Sequence, residues 1–431
     1  MAYQIFAADK QLQNSLSSLY VVDATTGKVI LDRNGKIGLV PASTQKVITS
    51  ASAYALLGKN FKFQTSVAYA KDNSSLIILP GGDPTLGSWR WAATSEKEII
   101  KKINQAIQKA GITTINEVII YNKGWEEGAV PDGWLWQDIG NYYGAGLSPL
   151  NWRENQFDVI LKSGSQLNSP VSLVKTVPQI YDYVLKPELT AAAANSGDQA
   201  FIYFPLNTAA GTIRGTIPVN QPSFKISGAM PDPKLQFART LLDTLARKGV
   251  KILKNMPVRV TQETLPAGYT TLLMLSSPPL DSIIYWLNRK SINLYGEALA
   301  RTLSVKNNAG STSQGVELMR HFWKKNGIPD SELNMVDGSG LSPLNRVTTH
   351  AQVQVLQYAR QQAWFPGFYA SLPQVNNLKM KSGTLHGAKG FCGYHKGQDG
   401  HQYVFSFLVN NYNGSAGTLV PKMYKVLDAL K

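Results

Sequence analysis

The chain has 431 residues, of which 43% are apolar and 16% are charged, a composition that excludes a disordered or fibrous protein. The formal net charge of +15 favours an anionic partner, but the basic residues are dispersed and no zinc-finger or RNA-recognition signature accompanies them, so nucleic acid is not a predicted partner. One cysteine, Cys392, permits neither an internal disulfide nor a cysteine-based zinc site.

The first predicted elements are a hairpin and a helix. Two apolar runs that flank a Thr-Thr-Gly turn predict a β-hairpin over 19–32. An apolar stripe that ends at Gly58 predicts a helix over 43–57.

The middle of the chain differs in character from its two ends. Residues 61–275 are rich in short predicted strands, interrupted by predicted helices at 95–109 and 233–248. After this region helices alternate with strands, and the chain closes with a strand over 403–409 and a helix over 417–430. No stretch approaches the ~20 apolar residues of a spanning helix, so no membrane-spanning segment is predicted.

Ser43 and Lys46 lie three residues apart on the first predicted helix, so the lysine amine lies within hydrogen-bond reach of the serine hydroxyl. A serine needs an adjacent base to act as a nucleophile at neutral pH. A lysine can be that base only if burial or a neighbouring cation lowers its pKa from about 10.4. The same spacing recurs at 172–175, so a helix-start serine beside a solvated lysine is the alternative for either copy.

A second polar pair, Ser291 and Asn293, precedes an amphipathic helical pattern. A hydroxyl and an amide two residues apart can both point into a cleft from a loop. The serine can relay a proton and the amide can hold a substrate carbonyl. The alternative is an ordinary helix cap.

A third element is the strand-like sequence Lys381, Ser382, Gly383 and Thr384. On a strand Lys381 and Gly383 share a face. The lysine offers a cation for a carboxylate, and the glycine leaves room for a substrate along the backbone. A similar Lys-Ser-Gly sequence at 162–164 precedes the Ser-x-Asn element and therefore breaks the order of the three elements.

The three elements in this order resemble those of the penicillin-recognising serine acyltransferases, the penicillin-binding proteins and serine β-lactamases. The closer resemblance is to the D-alanyl-D-alanine carboxypeptidase/endopeptidase family, the class C low-molecular-mass penicillin-binding proteins of the penicillin-binding protein 4 type. It covers nearly the whole chain. The similar stretches are residues 39–49, 81–86, 134–155, 288–297, 337–342 and 381–384.

The resemblance implies an acyl-enzyme mechanism on peptidoglycan stem peptides. Ser43 would attack the peptide carbonyl and Lys46 would take its proton. Ser291 would pass a proton to the leaving amine, and Asn293 would position the substrate and Lys46. Lys381 would attract the terminal carboxylate.

The resemblance assigns further groups to substrate binding. Ser382 and Thr384 would hydrogen-bond the terminal carboxylate beside Gly383, and the backbone N–H groups of Ser43 and Thr384 would form the oxyanion hole. Asp138 falls where relatives recognise the free amino end of a diaminopimelate side chain, and the alternative is an ordinary exposed aspartate. No metal or organic cofactor is implied, and β-lactams are the expected inhibitors.

The implied fold is an α/β (α+β) penicillin-binding transpeptidase or β-lactamase-like domain formed by 1–60 and 276–431. Its mostly antiparallel sheet should carry helices on both faces. Residues 61–275 would form a large strand-rich inserted region with a nested small domain at 155–228. A peptidoglycan substrate implies a periplasmic or other extracytoplasmic location. Because residues 1–14 lack a basic start and an apolar block, the expectation is a mature chain without its signal peptide.

Two other functions stay open at this point. A β-lactam hydrolase on the same catalytic set would turn the drug over quickly, although no extra glutamate base for fast deacylation is evident. A non-catalytic peptidoglycan-binding protein would use the aromatic-rich inserted region, in which six of the nine tryptophans fall between residues 89 and 152. An intact set of catalytic side chains disfavours this second alternative.

Overall fold

The computed structural model describes residues 1–125, 130–205, 208–253, 256–307, 310–397 and 400–430. Contacts divide the chain into two units. The first unit comprises Met1–Phe61, Pro131–Gly133 and Pro279–Lys431, and the second comprises Lys62–Val130 and Trp134–Pro278. The domain limits 1–60, 61–275 and 276–431, with a nested unit at 155–228, are our proposal, and limited proteolysis at these limits would test it.

The sheet of the first unit has six antiparallel strands. In order across the sheet they are Gln374–Val375, Leu378–Leu385, Ala388–Lys396, Gln402–Asn410, Leu16–Asp23 and Val29–Arg33. The last two form the predicted N-terminal hairpin. A two-residue turn joins the second and third strands, and this register places Thr384 opposite Lys389.

Helices cover both faces of this sheet, as the fold class predicts. On one face, the helices Ala2–Ala7 and Ala416–Leu427 pack on apolar side chains that include Phe405 and Phe407. On the other face, the helix Thr349–Arg360 reaches the sheet through a hydrogen bond from Ser406 to Gln352. The described residues of this unit also form the α-helices Lys46–Leu57, Leu280–Lys290, Asn293–Lys306, Thr312–Lys325 and Phe365–Ser371 and the paired strands Leu333–Asn334 and Arg346–Val347.

The second unit is built around a mixed five-stranded sheet. Its strands, in order, are Val258–Thr261, Glu117–Tyr121, Ser75–Leu79, Gln64–Ala70 and Thr270–Ser276. The helix Glu96–Lys109 buries Ile99, Ile103 and Ile107, which recur every fourth residue on one face and join the core of the unit. The described residues of this unit also form the α-helices Pro233–Arg247 and Trp136–Ile139, the second of which is short.

Three smaller sheets complete the second unit. One three-stranded sheet has Gln199–Tyr203, Ala210–Pro218 and Val184–Ala192, and another has Phe224–Ala229, Gln156–Lys162 and Ser172–Val177. The strands Lys251–Ile252 and Thr114–Ile115 form a parallel pair. The strand-rich character predicted for residues 61–275 is therefore present in the described part of that region.

One predicted helix differs in a way that matters for the site. Residues predicted as a continuous helix over 43–57 form a 3₁₀ turn at Ala42–Gln45 followed by the α-helix Lys46–Leu57, which ends at Gly58 with a φ of 81°. Ala42 adopts a left-handed φ of 47° and so starts the turn abruptly. Within the described residues, we found no helix that combines the length and hydrophobicity needed to cross a membrane.

Candidate active site

Ser43 and Lys46 are brought into contact by the tight turn at the start of the Lys46–Leu57 helix. The Lys46 Nζ lies 2.9 Å from the Ser43 Oγ. The strand that carries Gly383 packs directly on this turn, because a Cβ added to Gly383 would lie 2.9 Å from the Ser43 nitrogen and 2.6 Å from the Pro41 carbonyl oxygen. Glycine is thus needed for the strand to approach the turn, which differs from the predicted reason of leaving room for substrate.

Lys46 has two further partners, both of which only accept hydrogen bonds. Its Nζ lies 2.6 Å from the Asn293 Oδ1 and 2.6 Å from the Ser339 carbonyl oxygen. A neutral amine has two hydrogens and one lone pair. With the hydrogens directed to these two oxygens, the lone pair faces the Ser43 hydroxyl. The arrangement can therefore remove a proton from Ser43.

The surroundings of Lys46 favour that neutral amine. The side chain is fully buried. Burial lowers the pKa of Lys46 well below its ordinary value, and the nearby Lys381 ammonium lowers it further, while Asp337 and Glu297 act in the opposite direction. Burial and a neighbouring cation are the two conditions that a lysine base requires.

Ser291 and Lys381 form a second hydroxyl–amine pair. Ser291 occupies a left-handed position, with a φ of 57°, between the helices Leu280–Lys290 and Asn293–Lys306. The Lys381 Nζ donates to the Ser291 Oγ at 2.9 Å and to the Ser382 carbonyl oxygen at 2.8 Å. Because an ammonium only donates, the Ser291 hydroxyl hydrogen is free to be given to another group. Burial lowers the pKa of Lys381 to about 7.

A buried loop supports Lys46, and sequence reasoning assigned no role to its residues. Both carboxylate oxygens of Glu297 accept from the Gly338 N–H, at 3.1 and 3.0 Å. Asp337 accepts from the backbone N–H groups of Gly340 and Ser342. These bonds fix the loop that presents the Ser339 carbonyl oxygen to Lys46. The resemblance of residues 288–297 and 337–342 to the family is the sequence feature that could have indicated this supporting loop.

Lys389 is another residue that motif reasoning missed. Its Nζ donates to the Thr384 Oγ1 at 2.7 Å from the opposite strand of the hairpin. The side chain is 8% exposed, and burial lowers the pKa of Lys389 to about 8. A two-residue turn between the two strands would have predicted this pairing of 384 with 389 from the sequence.

Asp138 lies in the second unit, so the structure does not group it with the residues above. It belongs to the short helix Trp136–Ile139, and its Oδ1 accepts from the Tyr143 hydroxyl at 3.3 Å. The side chain is half-buried, which raises the pKa of the carboxyl group. Asp138 is therefore less exposed than the ordinary surface aspartate of the alternative interpretation, and its role stays a prediction.

The misleading sequence matches have structural explanations. Ser172 and Lys175 are exposed residues of the strand Ser172–Val177 and do not lie at the start of a helix. Lys162 ends a strand of the second unit and Ser163 follows it.

Cys392 is buried, and burial raises the pKa of its thiol to about 12, so it is not a nucleophile. Among the described residues, no group of three His, Cys, Asp or Glu side chains could hold a metal ion.

The fold and these residues define a serine-type peptidase of the penicillin-binding class. A profile of the D-Ala-D-Ala carboxypeptidase 3 (S13) family matches residues 3–375. The chain therefore belongs to this family and is a serine-type D-Ala-D-Ala carboxypeptidase. The family predicted from the three motifs is confirmed.

Individual relatives are distant but extend over most of the chain. A D-alanyl-D-alanine carboxypeptidase from Actinomadura sp. is 23% identical over 95% of this chain and 80% of its own length. Another D-alanyl-D-alanine carboxypeptidase, from Haemophilus influenzae, is 24% identical over 92% of this chain and 85% of its own length. The crystal structure of penicillin binding protein 4 from Haemophilus influenzae is similar with a TM-score of 0.84 and 20% identity, covering 99% of this chain and 98% of that one. This likeness confirms the predicted fold class.

Proposed function

We propose that this carboxypeptidase acts on peptidoglycan stem peptides through an acyl-enzyme on Ser43 and that it also cleaves cross-links as an endopeptidase. The Ser43 Oγ forms a bond to the carbonyl carbon of the penultimate D-alanine. The C–N bond to the terminal residue then breaks. Water attacks the resulting ester, the acyl group leaves as a carboxylic acid, and Ser43 regains its proton.

The observation that carries this proposal is the set of three contacts made by Lys46. Its two acceptor partners, Asn293 and Ser339, leave the lone pair of the neutral amine for the Ser43 hydroxyl. Lys46 takes the proton as Ser43 attacks. General-base catalysis of this kind contributes roughly 10²–10⁴-fold to the rate.

The leaving amine requires a proton, which Ser291 supplies in this proposal. Its hydroxyl accepts from Lys381 and is free to donate to the departing nitrogen. Ser291 then recovers a proton from the neighbouring lysines. The backbone N–H groups of Ser43 and Thr384 stabilise the oxyanion, at about 3–4 kcal/mol for each donor.

Substrate recognition uses the strand Leu378–Leu385. Lys381 supplies positive potential for the terminal carboxylate, and the hydroxyls of Ser382 and Thr384 hydrogen-bond to it. Asp138 binds the free amino end of the stem-peptide side chain in this proposal. An Asp138→Asn variant should lose activity only on stem peptides that carry that amine, and an equal loss on peptides without it would count against the assignment.

We also propose an extracytoplasmic, periplasmic location and acylation by β-lactams. Both follow from the peptidoglycan substrate and from the family to which the chain belongs. The net charge of +15 supports adsorption to an anionic envelope.

Labelling with a fluorescent penicillin tests the acyl-enzyme directly. Wild-type protein should be labelled covalently, and Ser43→Ala should abolish the label. Ser172→Ala, in the misleading second copy of the motif, is the matched control and should label like wild type. Persistent labelling of Ser43→Ala would show that the nucleophile is a different residue. Turnover of the adduct within seconds would instead favour a β-lactam hydrolase.

Defined muropeptides separate the two peptidase activities. Carboxypeptidase action on a monomeric pentapeptide releases one D-alanine, whereas endopeptidase action divides a cross-linked dimer into two monomers. Mass analysis distinguishes these products. Intact dimers after complete conversion of the monomer would remove the endopeptidase part of the proposal.

A further inference from the structure

Lys389 is an almost fully buried cation that adjoins the active-site strand. It lies on the strand Ala388–Lys396, directly opposite Thr384. Its Nζ donates to the Thr384 Oγ1 at 2.7 Å and lies 4.8 Å from the centre of the Phe391 ring. The side chain is therefore held at one place and not extended into solvent.

The charge of Lys389 lacks an anionic partner among the residues that the structure describes, since its contacts there are a hydroxyl and an aromatic ring. Lys381, on the neighbouring strand, likewise contacts a hydroxyl and a carbonyl oxygen. Buried ammonium groups are normally paired with carboxylates because desolvation of an unpaired charge is costly. Both lie on the hairpin that carries Thr384, Lys381 opposite Cys392 and Lys389 opposite Thr384, and their unmatched charge favours an anion that arrives from outside the protein.

The direction of the Thr384 hydroxyl follows from the chemistry of its partner. A lysine ammonium can only donate, so the Thr384 Oγ1 is the acceptor of this bond. The single hydrogen of the Thr384 hydroxyl must then point elsewhere. Thr384 is exposed, so that hydrogen is available to an incoming ligand. A hydroxyl that already accepts from a cation is also a stronger donor.

We propose that Lys389 is a positioning residue that orients the Thr384 hydroxyl as a donor to the terminal carboxylate of the substrate and adds a second positive charge to that binding site. The inference rests on the proposed function, which assigns Lys381 and Thr384 to this carboxylate. Lys389 does not contact the reacting bond. Its effect is on the preference for a substrate that ends in a free carboxylate.

Two peptides that differ only at the terminus test the inference. One ends in D-Ala-D-Ala with a free carboxylate, and the other ends in the corresponding D-alaninamide. The ratio of kcat/KM for the two peptides measures recognition of the carboxylate. In Lys389→Met this ratio should fall about 10-fold or more, mainly through KM, because a charge-assisted hydrogen bond has been weakened. Lys389→Arg, which keeps the charge, should retain most of the preference.

A purely structural lysine would give a different result. Equal losses on both peptides, or no loss on either, would overturn the inference. If Lys389→Met does not fold, Lys389→Gln removes the charge but keeps a hydrogen-bond donor to Thr384, and a smaller fall in the ratio is expected. Failure of the proposed function is seen separately, because wild-type protein would then release no D-alanine and Ser43 would not be labelled.

Discussion

Glu154 in the second unit and Lys381 in the first are both almost completely buried, but only Glu154 has a partner of opposite charge among the described residues. Arg90 binds Glu154 in a bidentate manner, with N–O distances of 2.7 and 3.0 Å, and Ser88 donates to the same carboxylate at 2.7 Å. Lys381 has a hydroxyl and a carbonyl oxygen as its partners.

The paired charge belongs to a structural cluster. Arg153, Glu154 and Asn155 have φ values of 55°, 54° and 51°, three left-handed residues in succession. Such backbone costs roughly 1–2 kcal/mol for each residue that is not glycine. The Arg90–Glu154 pair and the hydrogen bond from the Trp152 N–H to the Asn155 Oδ1 are made by this backbone segment. The buried charge of Glu154 is therefore paired within the protein.

The lysines of the candidate active site differ from Glu154, because their charge is not paired with a carboxylate at hydrogen-bond distance among the described residues. Their burial lowers the pKa of each, which suits the proposed roles of Lys46 as a base and of Lys381 as a cation. A protein accepts this loss of stability where it serves function. Glu154 is thus matched by a cation within the protein, whereas Lys381 has no carboxylate partner among the described residues and, in our proposal, attracts the carboxylate of a substrate.

The largest effect is expected from Lys46→Met. Removing the amine should slow acylation by fluorescent penicillin roughly 10²–10⁴-fold, because Ser43 loses its base. The fully buried methionine should leave the free energy of unfolding unchanged or raise it. The labelling rate and a urea titration of the same sample measure the two effects. A labelling rate within threefold of wild type, or a clear loss of stability, would contradict the comparison.

Glu154→Ala should produce the opposite pattern. It leaves Arg90 without its carboxylate in a buried site, so we expect the free energy of unfolding to fall by about 3–5 kcal/mol. Glu317→Ala, which removes the exposed partner of Arg320, is the matched control and should cost less than about 1 kcal/mol. Penicillin labelling of folded Glu154→Ala protein should proceed at the wild-type rate. If Glu154→Ala and Glu317→Ala have similar free energies of unfolding, the buried Arg90–Glu154 pair is no more important for stability than an exposed ion pair.

Lys381→Met tests the unpaired charge itself. The pKa of Lys381 is lowered from 10.5 to about 7, so between these values the unfolded chain binds the proton and the folded protein does not. Stability should therefore rise with pH from 7 to 10.5, and the penalty should be fully present below pH 7. We expect the variant to lack this rise and to be more stable than wild type at pH 6 by roughly 1–3 kcal/mol.

The control for this variant is Lys379→Met, on the same strand, whose partly exposed ammonium donates to the Leu372 carbonyl oxygen. It should keep the wild-type pH dependence of stability. Urea unfolding at several pH values measures both variants. If the stability of Lys381→Met still rises between pH 7 and 10.5, a group other than Lys381 causes that rise.

The candidate active site and the charged cluster around Glu154 could not be predicted equally well from the sequence. Ser43, Ser291 and Lys381 lie in short motifs whose spacing suggests their chemistry, so they could be proposed as site residues without coordinates. The contact of Lys46 with the Ser339 carbonyl oxygen could not be predicted, because it joins residues 293 positions apart through a backbone atom that any residue has. Local spacing predicts groups that act as neighbours on one element, but not the partners that the fold supplies.

The misleading copies illustrate the same limit. Ser172 and Lys175 have the spacing of Ser43 and Lys46, but they are exposed residues of a strand and not of a helix start. Thr384 and Lys389 share no motif, but the two-residue turn between their strands determines that they are opposite. Element type and strand register were thus as informative as the identity of the residues. The roles of the site residues stay predictions until the variants above are measured.

The smallest effect is expected from a pair of aspartates, one in each unit. Burial raises the pKa of Asp83 to about 6, although the Thr85 N–H and hydroxyl donate to it. Its contribution to stability should decrease as the pH rises from 3.8 to 6, because the folded protein binds the proton more tightly than the unfolded chain. Asp83→Asn should abolish this decrease and gain about 1 kcal/mol at pH 7.

Asp23 is the matched counterpart with the opposite sign. Hydrogen bonds from the Thr26 N–H and hydroxyl lower the pKa of Asp23 to about 2. Its stabilisation is therefore present above pH 3.8 and is lost as the pH falls toward 2. Asp23→Asn should reduce stability at pH 7, where Asp83→Asn increases it, and urea unfolding at pH 3, 5 and 7 measures both. Changes of equal sign would show that burial, and not the balance of donors around each carboxylate, determines what a buried charge does in this protein.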